Sequence, residues 1–383
     1  MVKVGDIVRG EAKQYLETQF ATPVQRKAMY DIASCQTAAL GTVGQTCGRC
    51  TTEYWLYRSC GNRSCPSCGG GARRKWLEAR QQEILPVPYL HVVFAPPAEL
   101  NVLALYCSEA FYELVIRAAG QAIIDVGQSK LHAQLGCNVH LQTWAQSMAF
   151  YLHAHCVVPC GGFSEDREQW VWFEPDDLPV KALTNCFRSL VCKAVRAAVE
   201  QGKFARLPRE VSVEQLLVRA TARKWKVYAK PPFGGPAKLL EYLSRYVFRV
   251  AITNDRIESY ENGQVTFRCR DSHRENKGKS YPLDAQQFLR RLLTHVPPKG
   301  FVRIRSYGFL ANRNRKTNLE RAHRLIGQVQ NAERPELVLP LRLCPACYAA
   351  VGTGPRPPFA PFAQGASQLA FTLRAPPKHS AAA

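Results

Sequence analysis

A chain of 383 residues, 46% of them hydrophobic, can bury a sizeable core and has room for more than one structural unit. Its 51 lysines and arginines against 30 acidic residues give a formal net charge of +21, an excess that points to a polyanionic partner, most simply nucleic acid. The first residues lack the apolar core of a secretory signal, and no apolar run approaches the ~20 residues that span a bilayer, so neither a secreted nor a membrane-spanning protein is expected.

In chain order, residues 10–45 are expected to be helical, on the apolar positions Tyr15, Phe20, Met29, Ile32 and Ala33. A cysteine-dense segment follows from Cys47 to Gly71, and Arg73-Arg74-Lys75-Trp76-Leu77 opens another helix. Tyr89–Phe94 is β-branched and aromatic and is closed by Pro96-Pro97, so it reads as a strand. Residues 98–125 read as helical, and Val139–Met148 and Tyr151–Val158 as two adjacent strands. A helix is expected over residues 180–202 and a strand over Lys224–Ala229. Pro236 suits the first turn of a further helix, and Glu261-Asn262-Gly263 reads as a hairpin turn between Ile257 and Val265. From Gly352 onward the composition turns to Pro, Gly, Ala and Ser, the signature of disorder.

Fifteen cysteines in a chain expected to stay in a reducing cytoplasm point to metal ligation rather than disulfides where they cluster. Cys47-x-x-Cys50 and Cys65-x-x-Cys68 are two knuckles separated by a short loop, the pattern of a four-thiolate structural zinc site, with Cys60 as a spare. Basic and aromatic residues thread this segment, among them Tyr54, Trp55, Tyr57, Arg63, Arg73, Arg74 and Lys75, and such a module can hold phosphates and stack bases. Cys344-x-x-Cys347 is a lone pair without an evident partner.

Two further motifs carry chemistry. In the apolar run Tyr151–Val158, His153 and His155 are two apart, so on a strand they share a face and can converge on one metal ion. Imidazoles with an amide oxygen suit Mn²⁺ or Mg²⁺; Gln146 is the first candidate for a third ligand, with His140 and Gln142 in reserve. Tyr242 and Tyr246 are four apart, so on a helix both phenols share a face. Lys238 and Arg249 lie on or near that face, where cations ease phenolate formation and hold phosphates. Lys230 and Arg245 extend this set of candidate DNA contacts. The combination suggests metal-assisted attack on a phosphodiester, with tyrosine as the covalent carrier.

Over most of residues 30–330 the chain resembles the insertion sequence 91 family, two-tyrosine rolling-circle transposases of the HUH class. The resemblance rests on Ala38-Ala39-Leu40-Gly41, Ser59-Cys60-Gly61-Asn62-Arg63-Ser64-Cys65-Pro66-Ser67-Cys68, His91-Val92-Val93-Phe94 and Leu141-Gln142-Thr143-Trp144-Ala145-Gln146. It continues in the run His153–Pro159, in Tyr228–Pro236, in Tyr242-Leu243-Ser244-Arg245-Tyr246, in Arg249–Ile252 and in Lys299–Arg305. Three positions depart from the family pattern: Phe248 and Ser64 each replace a histidine, and Cys160 interrupts a glycine run.

The resemblance implies an α+β fold: an antiparallel-sheet HUH endonuclease domain with helices on its faces, preceded by a small zinc-binding domain with four cysteine ligands. The expected division is a helical and zinc-binding domain over 1–80, a catalytic domain over 81–330 and a largely disordered extension over 331–383. It implies structural Zn²⁺, catalytic Mg²⁺ or Mn²⁺ at His153 and His155, and nucleophiles at Tyr242 and Tyr246. The implied reaction nicks single-stranded DNA at element ends through a 5′-phosphotyrosine and transfers the strand to target DNA. The implied setting is the bacterial cytoplasm, at the nucleoid. A zinc-dependent DNA-binding protein that does not cut is the competing reading, drawn from the cysteine cluster and Phe248; the zinc module argues against a replication initiator or a relaxase.

Overall fold

The computed structural model describes residues 2–69, 78–79, 81, 83–230, 239, 250–271, 277–327 and 346–347. Two helices open the chain, α1 (Val4–Thr18) and α2 (Pro23–Ser34), where one continuous helical stretch was expected. The break has a local cause. Thr22 and Gln25 form a reciprocal capping box, and Pro23 occupies the first turn, so a new helix starts there. After Ser34 the chain turns to sheet, with β1 (Thr42–Thr46) and β2 (Glu53–Tyr57) paired as an antiparallel hairpin.

Then follow β3 (Tyr89–Ala95), α3 (Asn101–Tyr106), α4 (Ser108–Leu131), β4 (Gly136–Trp144), β5 (Phe150–Pro159), β6 (Gly161–Phe163) and β7 (Trp170–Trp172). The chain continues through α5 (Val180–Glu200), α6 (Val213–Thr221), β8 (Lys226–Lys230), β9 (Ile257–Glu261), β10 (Gln264–Asp271), β11 (Lys277–Asp284), α7 (Ala285–Thr294), β12 (Ile304–Gly308) and α8 (Arg315–Ile326).

The central sheet has the strand order β12-β4-β5-β3-β8, and every neighbouring pair is antiparallel. With helices segregated from the strands in space, this is an α+β fold. Alternation along each strand divides the sheet. One face, with Leu90, Val92, Phe94, Leu141, Leu152, Ala154 and Cys156, is buried with residues of α4, α5 and α6 in the largest hydrophobic core. Phe94 and Phe187 meet there with ring centroids 5.0 Å apart. Truncating one such buried ring costs about 3–5 kcal/mol. The opposite face carries His91, His140, Gln142, His153 and His155.

A second core joins distant parts of the chain. Ile7 of α1 and Met29 and Ile32 of α2 are buried with Ile257, Phe267, Phe288 and Leu289, from the sheet β11-β10-β9 and from α7. The expected hairpin turn lies in this sheet: Asn262 and Gly263 both have positive φ (49° and 70°), the conformation of a tight two-residue turn. The residue 80 boundary therefore does not fall between separate cores, because the N-terminal helices share theirs with residues 252–293.

This second core also grips the tip of the β4–β5 hairpin. Arg256 donates to the Gln146 carbonyl, Arg291 Nη1 to the Ser147 carbonyl (2.8 Å), and His295 Nε2 to the Met148 carbonyl (2.9 Å). The Met148 side chain is fully buried in the core itself. Among the described residues no helix is long and apolar enough to cross a membrane.

Candidate active site and metal centres

Among the described residues, seven cysteines gather in two clusters. Cys35, at the C-terminal cap of α2, joins Cys60, Cys65 and Cys68, all four Sγ atoms lying within 4.8 Å of one another. Cys60 Sγ and Cys68 Sγ are 3.6 Å apart, against the about 3.8 Å edge of a tetrahedron of sulfurs around zinc. The Asn62 N–H is aimed at Cys60 Sγ (3.4 Å) and the Cys60 N–H at Cys35 Sγ (3.4 Å). Hydrogen bonding from the Cys60 and Cys65 thiols, opposed by burial, holds the Cys68 thiol down to about 4, the ionised form a metal requires. Four converging thiolates fit a closed structural zinc site.

Cys47 and Cys50 do not belong to this cluster. They sit in the turn at the far end of the β1–β2 hairpin, and the five-residue strands span roughly 17 Å. The expected set of Cys47, Cys50, Cys65 and Cys68 is therefore split. Cys60 is a full member of the first cluster rather than a spare, and Cys35 completes it.

On the face of the central sheet opposite the largest core, the histidines are brought together by register. His140 pairs with His155, and Gln142 with His153, across β4 and β5. His91 on β3 reaches diagonally to His155, its Nε2 2.7 Å from His155 Nδ1. His155 Nε2 lies 3.2 Å from Gln142 Oε1. His153 Nδ1 donates to the Tyr151 carbonyl (2.8 Å), which leaves its Nε2 as the acceptor nitrogen. His91, His140, Gln142, His153 and His155 are all buried.

Burial, then the positive Lys230 opposite it on β8, pushes the His91 imidazole down to about 3. Burial followed by Arg303 does the same to His140, and burial with the neighbouring histidines lowers His155 well below the ordinary range. These imidazoles are neutral at physiological pH, the form that ligates metals. Among the described residues, neither ring nitrogen of His140 has a hydrogen-bond partner, and neither does Gln142 Nε2. A buried, unpartnered imidazole lone pair on His140 beside neutral imidazoles fits a divalent cation, whereas the Gln142 Nε2 amide is a donor and offers it no lone pair. The fit is less closed than at the cysteines, since the histidines touch pairwise and would exchange those hydrogen bonds for ligation.

Gln146 is not part of this group. The Trp144–Phe150 pair closes the hairpin, so Gln146 falls in the turn, four residues beyond Gln142, with its carbonyl held by Arg256. Val139–Met148 is thus a strand only as far as Trp144. Arg63 donates to the carbonyls of Phe301 and Pro298, fastening the zinc module to the segment before β12. His91 was readable only as part of a buried strand; its role appears once β3 is seen to pair with β5.

Known proteins resolve the family. Residues 7–95 match the family described as "Transposase zinc-binding domain", and residues 136–318 match that described as "Putative transposase". A relative from Sinorhizobium fredii, "Putative transposase y4qJ", is 37% identical over 370 residues, covering 90% of this chain and 93% of the relative. The chain belongs to the insertion sequence 91 family of transposases.

This transposase is also 25% identical over 308 residues to the "Transposase for insertion sequence element IS801" of Pseudomonas savastanoi pv. phaseolicola, covering 76% of the chain and 71% of that relative. Among solved structures it is similar to a conjugative relaxase TrwC in complex with oriT DNA, metal-bound, with a TM-score of 0.24 and 16% identity over 36% of this chain and 65% of that one. A TrwC complexed with a 27-mer DNA comprising the recognition hairpin and the cleavage site gives a TM-score of 0.22 and 15% identity, over 36% and 66% of the two chains. In the transposase, Tyr242 and Tyr246, with Lys238, Arg245 and Arg249, lie outside the described residues, as do Arg73, Arg74, Lys75 and the extension from Gly352.

Proposed function

We propose that this transposase nicks single-stranded DNA at the ends of its element and transfers the strand, by a rolling-circle route, through a covalent tyrosine ester. The observation that carries the reading is the sheet face on which His153, His155, His91, His140 and Gln142 meet, all five buried, beside Lys230. His153 and His155 would hold Mg²⁺ or Mn²⁺ through their Nε2 atoms, with Gln142 Oε1 as third donor in place of Gln146. The ion, when bound, acts as a Lewis acid on the scissile phosphate.

Around it the chain's own residues position the substrate. The Tyr151 carbonyl fixes the His153 tautomer, and His91 fixes the ring of His155. Lys230 supplies positive charge at the edge of the site, where it attracts a phosphate. Tyr242 or Tyr246, having lost its phenolic proton, attacks phosphorus. The new Tyr O–P bond forms as the P–O3′ bond breaks, leaving a 3′ hydroxyl and a 5′-phosphotyrosine that retains the energy for rejoining. Two nucleophiles allow one strand to be held while a second is cut. On the zinc module, Trp55 and Tyr57 are 58% and 53% exposed on β2, and they suit stacking of unpaired bases. With DNA as substrate, the workplace of the protein is the nucleoid in the cytoplasm.

Incubation with single-stranded element-end DNA and Mn²⁺ should yield a covalent protein–DNA adduct that is lost in the Tyr242→Phe/Tyr246→Phe variant. An adduct that survives in that variant would remove tyrosine from the mechanism. DNA binding without any adduct in the unaltered protein would favour a zinc-dependent DNA-binding protein instead.

A further inference from the structure

The turn at the tip of the β1–β2 hairpin gathers a third thiol from far along the chain. Cys347, 300 residues beyond Cys47, brings its Sγ to 3.7 Å from Cys47 Sγ. The Sγ atoms of Cys47, Cys50 and Cys347 all lie within 4.8 Å of one another. Sulfurs bound tetrahedrally to zinc at ~2.3 Å are about 3.8 Å apart, so the observed separation is that of two ligands on one ion.

The turn is built for ligation in the same way as the first cluster. The Arg49 N–H points at Cys47 Sγ (3.4 Å), as the Asn62 N–H points at Cys60 Sγ (3.4 Å). Cys47 also exchanges backbone hydrogen bonds with Thr51 and Thr52, which fixes the turn, and it is 2% exposed. The length of the hairpin keeps these thiols away from the first cluster, so they need an ion of their own.

We propose that Cys47, Cys50 and Cys347 hold a second zinc ion, which fastens the C-terminal part of the chain to the N-terminal hairpin. Cys344 lies outside the described residues. An all-sulfur donor set selects zinc over Mg²⁺ or Mn²⁺. A disulfide between Cys47 and Cys347 would leave the third converging thiol unexplained. The inference does not depend on the nuclease reading.

The full-length protein carrying His153→Ala and His155→Ala, so that the histidine face adds no third ion, is the reference for each zinc count; purified under reducing conditions with zinc, it should carry two ions per chain by elemental analysis. Cys347→Ser and Cys50→Ser should each carry one, and Cys50→Ser/Cys347→Ser should also carry one, because both residues serve the same ion. Cys65→Ser combined with Cys347→Ser should carry none. Far-ultraviolet circular dichroism checks that the Cys347→Ser variant keeps its fold. In the cobalt-loaded protein the thiolate charge-transfer absorption should fall by about half in Cys347→Ser. One zinc per chain in that reference protein, or two in its Cys347→Ser form, would overturn the proposal. So would a chain about two daltons light that regains its mass on reduction, since that marks a disulfide.

Discussion

Nε2 of His91 lies 2.7 Å from Nδ1 of His155, reaching diagonally across the β3–β5 pair. This contact sets which nitrogen of His155 faces Gln142, and under the proposed function it makes His91 a positioning residue for the proposed metal ligands. His91→Ala should weaken Mn²⁺ binding by about 10–100-fold, the usual effect of removing such a partner. Saturating Mn²⁺ should restore most of the adduct yield. His153→Ala and His155→Ala should not be restored in this way. Calorimetric Mn²⁺ titration beside an adduct assay separates the two behaviours; equal loss at saturating metal would make His91 more than a positioning residue.

Gln142 and Gln146 make opposite predictions. Gln142→Ala removes the oxygen 3.2 Å from His155 Nε2 and should reduce metal affinity by about tenfold or more. Gln146→Ala leaves the backbone carbonyl that Arg256 holds, and should change metal affinity less than about twofold. The reverse order in a Mn²⁺ titration would return Gln146 to the site.

His295 links acid stability to the hairpin tip. Burial pushes its imidazole down to about 4, against 6.5 when unfolded, while Thr143 Oγ1 (3.0 Å) and the Met148 carbonyl (2.9 Å) occupy its two nitrogens. The unfolded chain therefore binds the proton first, and stability falls as pH drops below about 6.5 toward 4. Between pH 7 and pH 5 this histidine alone contributes a loss of about 2 kcal/mol. His295→Gln, which can keep both hydrogen bonds without titrating, should flatten that part of the slope in urea denaturation.

Gly308 ends β12 with φ at +61°, and a Cβ there would run into the Leu135 carbonyl oxygen. Gly308→Ala should cost about 3 kcal/mol, from the backbone conformation and the clash combined. The melting temperature should drop accordingly, with far-ultraviolet dichroism unchanged at low temperature. An unchanged melting temperature would mean that the β4–β12 edge yields easily.

Cys35 is predicted to matter to zinc although it stands outside any local cysteine motif. Cys35→Ser should lose the ion of the first cluster and lower the melting temperature, because Cys35 and Cys65 are also buried in the second core. A zinc content equal to that of the unaltered protein would exclude Cys35 as a ligand.

Much of the central sheet was legible in the chain. Tyr89–Phe94 and Tyr151–Val158 carry their strand character in every residue, and the two-residue spacing of His153 and His155 gives one face directly. What was hidden depends on pairing. The expected strand Val139–Met148 looks uniform in composition, yet the Trp144–Phe150 pair ends it early, and that moves the amide partner from Gln146 to Gln142. Cys35 is twelve residues before the first knuckle, at a helix end, and no spacing rule reaches it. Cys347 could be paired with Cys47 only once the fold had closed 300 residues of intervening chain.

The second hydrophobic core has a consequence for synthesis. Helices α1 and α2 leave the ribosome early, but the first residue of their distant cover, Ile252, follows Ser34 by 218 positions (252 minus 34), apart from Met148. At ~5–20 residues per second the nascent helices wait roughly 10–45 s for it. During that wait Ile7, Met29 and Ile32 lack most of their native neighbours. Prematurely terminated chains that stop short of Ile252 should therefore be clients of holding chaperones, while full-length chains escape them.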